Sequence, residues 1–239
     1  SGKFPVKQTK VEELSKGKTL IKKTYKGRVI GWPGNMTGAE VIQFMMKKAS
    51  AAPKGVDLIT GYNYPQLISK FTMGAVFYNQ ACTNYLGNKK LSSASKPNDA
   101  PYKKGAKYTG KEHVWDEAFG YWGAAAHTLT LSPKESYEVA KKKNLTAADY
   151  NKDGVVDAGT EMTYAHAYYA SGFDKGGKTN YLKTVTRAFL TGRETITNAT
   201  NGTVLINGIV SAGTGSAAGV FQSNGDHDLT LQTGNSTTG

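Results

Sequence analysis

The sequence predicts a mainly α-helical protein, a bundle of six helices followed by a short β-rich tail. Three observations predict it: a helix-start signature ahead of three of the apolar runs, apolar residues at helical spacing, and an abrupt change of composition after Thr197. The signature is Ser or Thr followed three residues later by Glu, two side chains that each satisfy a free amide at the start of a helix. It stands at Thr37-Gly38-Ala39-Glu40, Thr109-Gly110-Lys111-Glu112 and Ser132-Pro133-Lys134-Glu135.

Residues 1–35 are rich in lysine and contain the turn-like Gly31-Trp32-Pro33-Gly34-Asn35 without sustained periodicity, so a basic irregular arm is expected there. The first helix runs from Thr37 to about Ala52, carries Val41, Ile42, Phe44, Met45 and Met46, and stops at Pro53. Pro65 suits the first turn of a second, in which Leu67, Phe71, Ala75, Tyr78, Cys82 and Tyr85 recur at threes and fours as far as Leu86. After a loop at Ser92 to Gly105, a third helix carries Trp115, Ala118, Phe119 and Trp122, and a fourth follows Ser132 and reaches Ala148. Met162 to Ala170 and Thr179 to Ile196 supply the last two, the latter with Leu182, Val185, Phe189 and Ile196 on one face. Residues 36–197 are therefore expected to form the helical bundle domain.

From residue 198 the chain holds eight glycines, seven threonines and no lysine or arginine. Short apolar pieces, Val204-Leu205-Ile206, Ile209-Val210, Val220-Phe221 and Leu229-Thr230-Leu231, alternate with Asn/Gly turns and suggest strands. They are too few for a core of their own, so residues 198–239 are expected to pair with other copies of the chain or with other structural subunits.

All 30 lysines and arginines lie at or before Arg193, against 15 of the 18 acids, so residues 1–193 carry +15 and the remainder −3. Such a field favours anionic partners, for example a surface glycan or lipopolysaccharide. No motif for sequence-specific nucleic-acid reading accompanies it. No run nears the ~20 apolar residues of a membrane span. The first residues lack the apolar core of a signal peptide, and any export signal is expected to have been removed. The lone Cys82 lies among apolar residues, where a buried thiol is expected. No Ser-His-Asp order, phosphate loop or zinc-peptidase motif is present, and no enzyme is expected.

The densest chemistry lies between Asp149 and Glu161. Asp149, Asn151 and Asp153 alternate as the oxygen ligands of a hard cation do, Gly154 permits a sharp turn, Val155 offers its carbonyl, and Asp157 binds directly or through water. Helical segments at Ser136 to Ala148 and Met162 to Ala170 flank the loop. It is an EF-hand-like loop for Ca2+, with one departure: the usual closing glutamate position holds Thr160, and the glutamate follows as Glu161. Glu161 is the expected closing ligand and Thr160 its rival, since Gly159 can absorb the shift; the plain alternative is a solvated Asx-rich turn.

A second cluster, His113, Asp116 and Glu117, falls on one face of the third helix, where it is either a transition-metal site or a set of helix-surface hydrogen bonds. His127 and His166 add to it only if folding brings them near.

The run Glu112-His113-Val114-Trp115-Asp116-Glu117-Ala118-Phe119-Gly120-Tyr121 resembles a family of secreted bacterial helical domains of unknown function. Further matching pieces are Met73-Gly74-Ala75-Val76-Phe77-Tyr78-Asn79-Gln80, the acidic loop with Tyr164-Ala165-His166-Ala167, and Ala188-Phe189-Leu190-Thr191-Gly192-Arg193. That resemblance implies an exported helical domain. A more distant similarity, to imelysin-like proteins with their Gly-x-His-x-x-Glu motif, implies iron binding at His113; Lys111 and Asp116 depart from that pattern. The end of the chain, Gly225 to Gly239, resembles repeats of marine-phage fibres and bacterial adhesins. Together these imply a calcium-stabilised structural or adhesive module, extracellular, on a cell surface or on a virion. The alternative is a periplasmic or surface metal-binding protein.

Overall fold

The computed structural model describes residues 5–15, 19–92 and 96–199, with four two-residue strands beyond them. The chain is mainly helical and divides into two compact units. A smaller one lies within residues 15–80, and a larger one joins the N-terminal segment to the chain from Ala81 onward.

The first helix, α1 (Val11–Ser15), ends where the smaller unit begins. In the smaller unit, a 3-10 turn at Leu20–Lys23 is capped by the Thr19 hydroxyl, so the basic arm is less irregular than its composition suggests. The helix α2 (Gly38–Ala51) opens with both bonds of the Thr37/Glu40 capping box and packs against α3 (Tyr64–Thr72), which Asn63 caps and Pro65 starts. Val41, Ile42, Met45, Tyr64 and Val76 are buried here. The Tyr25 amide donates to the Ala75 carbonyl at 2.7 Å, so the arm is bound to this unit's helices.

The expected single α-helix from Pro65 to Leu86 is two different windings. After α3 the chain continues as a π-helical stretch, Met73–Tyr85, and the boundary between the units falls inside it. The wider winding moves the buried face: Val76, Gln80, Ala81, Tyr85 and Leu86 are buried, at steps of four and five, and Tyr78 is exposed.

The larger unit contains α4 (Gly110–Trp122), α5 (Pro133–Ala140), α6 (Leu145–Ala148), α7 (Ala165–Asp174) and α8 (Tyr181–Thr197). Thr109/Glu112 and Ser132/Glu135 complete their capping boxes. α8 packs on α4 and α7, and α5 on α7. One core gathers Trp115, Val114, Ala118, Val185, Phe189 and Ile196, where Trp115 Nε1 donates to the Phe189 carbonyl at 2.8 Å. Gly192 makes this contact possible, because a Cβ there would stand 2.1 Å from the Trp115 ring. Two of the four pieces that carry the sequence resemblance, 112–121 and 188–193, thus meet around Trp115. Asn180 makes no side-chain cap for α8; Asp174, buried at the end of α7, accepts instead from the Tyr181 and Leu182 amides at 3.0 and 2.6 Å.

The helices flanking the acidic loop are shorter than expected. The fourth helix ends at Ala140, Lys142 takes a positive φ, and only the single turn α6 precedes Asp149. After Glu161 the chain is not helical until Ala165; the extended Tyr164 donates its amide to the Gly123 carbonyl at 2.7 Å while the Ala126 amide donates to the Thr160 carbonyl. These bonds hold Met162 and Thr163 in the core and delay α7 to Ala165.

In the tail, Ile206–Asn207 pairs antiparallel with Gln232–Thr233, and Gln222–Ser223 with Leu229–Thr230. The expected pieces 209–210 and 220–221, and residues 204–205 and 231 of the other two, lie outside the described residues.

Candidate metal centre

A second core, Leu131, Val139, Ala148, Val156, Ala158 and Met162, lies beneath the loop Asp149 to Glu161 and anchors both its ends. The first half is wound by its own side chains. Asp149 Oδ1 accepts from the Asp153 amide at 3.2 Å and Oδ2 from the Gly154 amide at 3.0 Å. Asn151 Oδ1 accepts from the Asp153 amide at 3.0 Å, its Nδ2 donates to Asp153 Oδ2 at 3.0 Å, and Asp153 Oδ1 accepts from Val155 at 2.8 Å. Gly154 has φ +84°, a conformation that glycine adopts without steric cost.

Glu161 joins the two halves. It is 4 % exposed; Oε1 accepts from the Tyr150 and Asn151 amides at 3.0 and 3.4 Å, and Oε2 from the Asp157 amide at 2.7 Å. Thr160 is exposed to solvent, and its carbonyl accepts from Ala126. Of the two candidates for closing the loop, Glu161 is the one turned inward.

Asp157 faces the N-terminal segment. Lys7 Nζ donates to its Oδ2 at 3.0 Å, and Gln8 Nε2 and the Gly159 amide donate to Oδ1 at 3.0 and 2.8 Å. The Lys7 hydrogen bond, with those of Gly159 and Gln8, holds the Asp157 carboxyl below its usual range, and Asp157 in turn raises Lys7. The backbones join as well: the Lys7 amide donates to Val156 and the Val156 amide to Pro5, both at 2.9 Å, in a parallel bridge centred on Val6 and Val156. Sequence reasoning misses Lys7 and Gln8, because no local pattern links residues so far from the loop.

Asp149, Asp153 and Glu161 make no ion pair among the described residues; amide donors hydrogen-bond them, and the Lys7 ammonium acts on Asp153 and Glu161 from a distance. Among those residues, no three His, Cys, Asp or Glu side chains are gathered closely enough to hold a metal by themselves. A cation at this loop would therefore rely also on the Asn151 amide oxygen and the Val155 carbonyl. An all-oxygen donor set of this kind suits a hard ion such as calcium and not a soft one.

The His113 cluster is otherwise engaged. His113 Nε2 lies 3.5 Å from Glu117 Oε1, and its ring stacks on Tyr102 with centroids 3.9 Å apart. Arg193 Nε donates to Asp116 Oδ1 at 2.9 Å, and its Nη1 pairs with Glu112. Burial pushes Glu112 upward, but the Thr109 amide, the Thr197 hydroxyl and Arg193 outweigh it and hold its carboxyl below the usual range. Asp116 is raised, chiefly by burial, against the pull of Arg193. His127 stacks on Tyr150 of the acidic loop and places Nε2 3.0 Å from the Ala147 carbonyl. Neither His127 nor His166 joins His113, Asp116 and Glu117 in a metal-holding group among the described residues. Burial pushes the Cys82 thiol up to about 11, away from the thiolate a nucleophile needs.

Fold and site together define a mainly helical protein with one acidic, oxygen-rich loop braced by its own N-terminal segment. Residues 56–204 match the family described as a domain of unknown function (DUF4856), and the chain belongs to that family. No curated protein and no solved structure matches it. No helix among the described residues is long and apolar enough to cross a membrane.

Proposed function

We propose that this chain is a non-catalytic structural or adhesive module, stabilised by calcium at Asp149 to Glu161 and displayed on a virion or bacterial surface. The observation that carries the calcium site is Glu161, a buried carboxylate aimed into the loop and hydrogen-bonded by backbone amides, with no ion pair among the described residues. Burying a carboxylate is costly unless charge or hydrogen bonds compensate it, and a cation shared with Asp149, Asn151, Asp153 and the Val155 carbonyl would supply the charge. Bound only by the folded state, calcium would stabilise by mass action. The EF-hand-like loop would then be a clamp between the N-terminal segment and the helical bundle. The Gly- and Thr-rich residues 198–239 would attach the module to its assembly, and its basic surface would face anionic glycans.

The iron-binding alternative at His113, Asp116 and Glu117 has less support, because Arg193 already neutralises Asp116 and would repel a second cation. Elemental analysis of the purified protein separates the two. Stoichiometric calcium that is lost in Asp149→Ala is expected; stoichiometric iron or zinc that is lost in His113→Ala would replace this proposal with the alternative.

A further inference from the structure

Within the smaller unit, the Trp32 ring meets Phe44 of α2 edge-on and tilts against Phe71 of α3, with centroids 6.3 Å away in each case. These rings, with Met36, Met45 and Leu67, line a pocket of about 820 Å³. That volume falls within the ~300–1,000 Å³ typical of small-molecule sites. Its wall is predominantly apolar, and methionine beside aromatic rings adapts to a flexible apolar chain. A sugar, polar all round, would leave most of its hydroxyls without partners on such a wall.

The charged groups in the lining are Lys48, Lys70 and Asp57. Asp57 is turned into its own loop, where Oδ1 accepts from the Ile59 and Thr60 amides at 2.9 and 3.0 Å. Residues 15–80 hold ten lysines and arginines against two acids, Glu40 and Asp57, a net of +8 that favours an anion. The tip of the Asp57 loop is apolar and open to solvent, with Leu58 79 % and Ile59 97 % exposed. Apolar residues at a turn tip do nothing for the core and are suited to meeting an apolar ligand.

We propose that this pocket binds a single-chain amphipathic anion, a fatty-acid-type carboxylate whose chain lies on Trp32, Phe44 and Phe71 and whose head is held by Lys48 and Lys70. The site is independent of the calcium loop. Its test is calorimetric titration of the whole chain with dodecanoate below its micelle concentration. Dodecyltrimethylammonium serves as the same tail with the opposite head, and phosphatidylglycerol vesicles as a bilayer source of acyl anions. Saturable 1:1 binding of dodecanoate is expected, at least tenfold weaker for the cationic analogue and for the double variant Lys48→Gln/Lys70→Gln. Leu67→Trp and Thr60→Trp, both at solvent-reached positions of the wall, are expected to abolish it by filling the space. Equal affinity for the two heads, no saturable binding, or binding that survives both filling variants would overturn the proposal. Binding to vesicles without binding of monomeric dodecanoate would also overturn it, and would make the face a membrane-docking surface.

Discussion

Lys7 and Asp157, 150 positions apart in the chain, form an ion pair at 3.0 Å that fastens the N-terminal segment to the acidic loop. Gln8 and the Gly159 amide engage the other Asp157 oxygen, so both oxygens of this carboxylate already have partners within the protein. The proposed calcium ligands of the loop are therefore expected to contribute unequally.

Asp149→Ala and Asp153→Ala are each expected to abolish the calcium-induced rise in thermal midpoint, whereas Asp157→Ala should retain most of it. Differential scanning fluorimetry with and without calcium reads the order. Loss in Asp157→Ala as complete as in Asp149→Ala would mean that Asp157 leaves Lys7 to bind the ion.

Glu161→Ala should destabilise even without calcium, since it strips the Tyr150, Asn151 and Asp157 amides of their acceptor. Leaving buried groups unsatisfied costs about 1–3 kcal/mol. Thr160→Ala, at an exposed position, should change stability by no more than about 0.5 kcal/mol and keep the calcium response. Urea unfolding of both variants makes the comparison, and the reverse order would place loop closure at Thr160.

Some of this was legible in the sequence because it is local. A capping box spans three residues, and at Thr37, Thr109 and Ser132 both of its bonds form. The Asx winding around Gly154 is equally local. What the sequence hides is set by partners far along the chain. The run from Met73 offers threes and fours to a reader who assumes an α-helix, yet π winding buries Val76, Gln80 and Tyr85. Met162 to Tyr164 looks helical but is not, with the Tyr164 amide bonded to Gly123, and nothing near Lys7 points to Asp157. The turn around Trp32, read as part of an irregular arm, is one wall of an aromatic pocket.

Gly192→Ala tests the contact between α4 and α8 in the core around Trp115. The added methyl meets the Trp115 ring, which is 1 % exposed and tied to the Phe189 carbonyl, so neither partner moves freely. Overpacking of this kind costs about 1–3 kcal/mol. Combining it with Trp115→Phe should cost less than the sum of the two single changes, a coupling measurable in a double-mutant cycle. Strict additivity would show that the helices separate without strain.

Acid should weaken the α4–α8 junction through Glu112. Its folded carboxyl lies below the unfolded value of about 4.3, so its contribution is complete above that value and is lost as pH falls through the folded one. Asp116, raised in the folded state, acts in the opposite sense over the adjoining range. Glu112→Gln should therefore lower the midpoint at pH 7 and flatten its fall on acidification. Midpoints measured from pH 7 down to 3 test this, and an unchanged slope would assign the acid sensitivity to other groups.

The clamp by calcium is tested most directly by the thermal midpoint of the whole chain in excess chelator and in millimolar calcium, with magnesium as the control. At a ligand concentration about a hundred times Kd, mass action stabilises the folded state by about 2.7 kcal/mol. For a chain of this size that is a shift of roughly 5–10 °C. A calcium-specific rise of that order, reversed by chelator and absent in Asp149→Ala, is the expected result; equal midpoints in chelator and in calcium would contradict it.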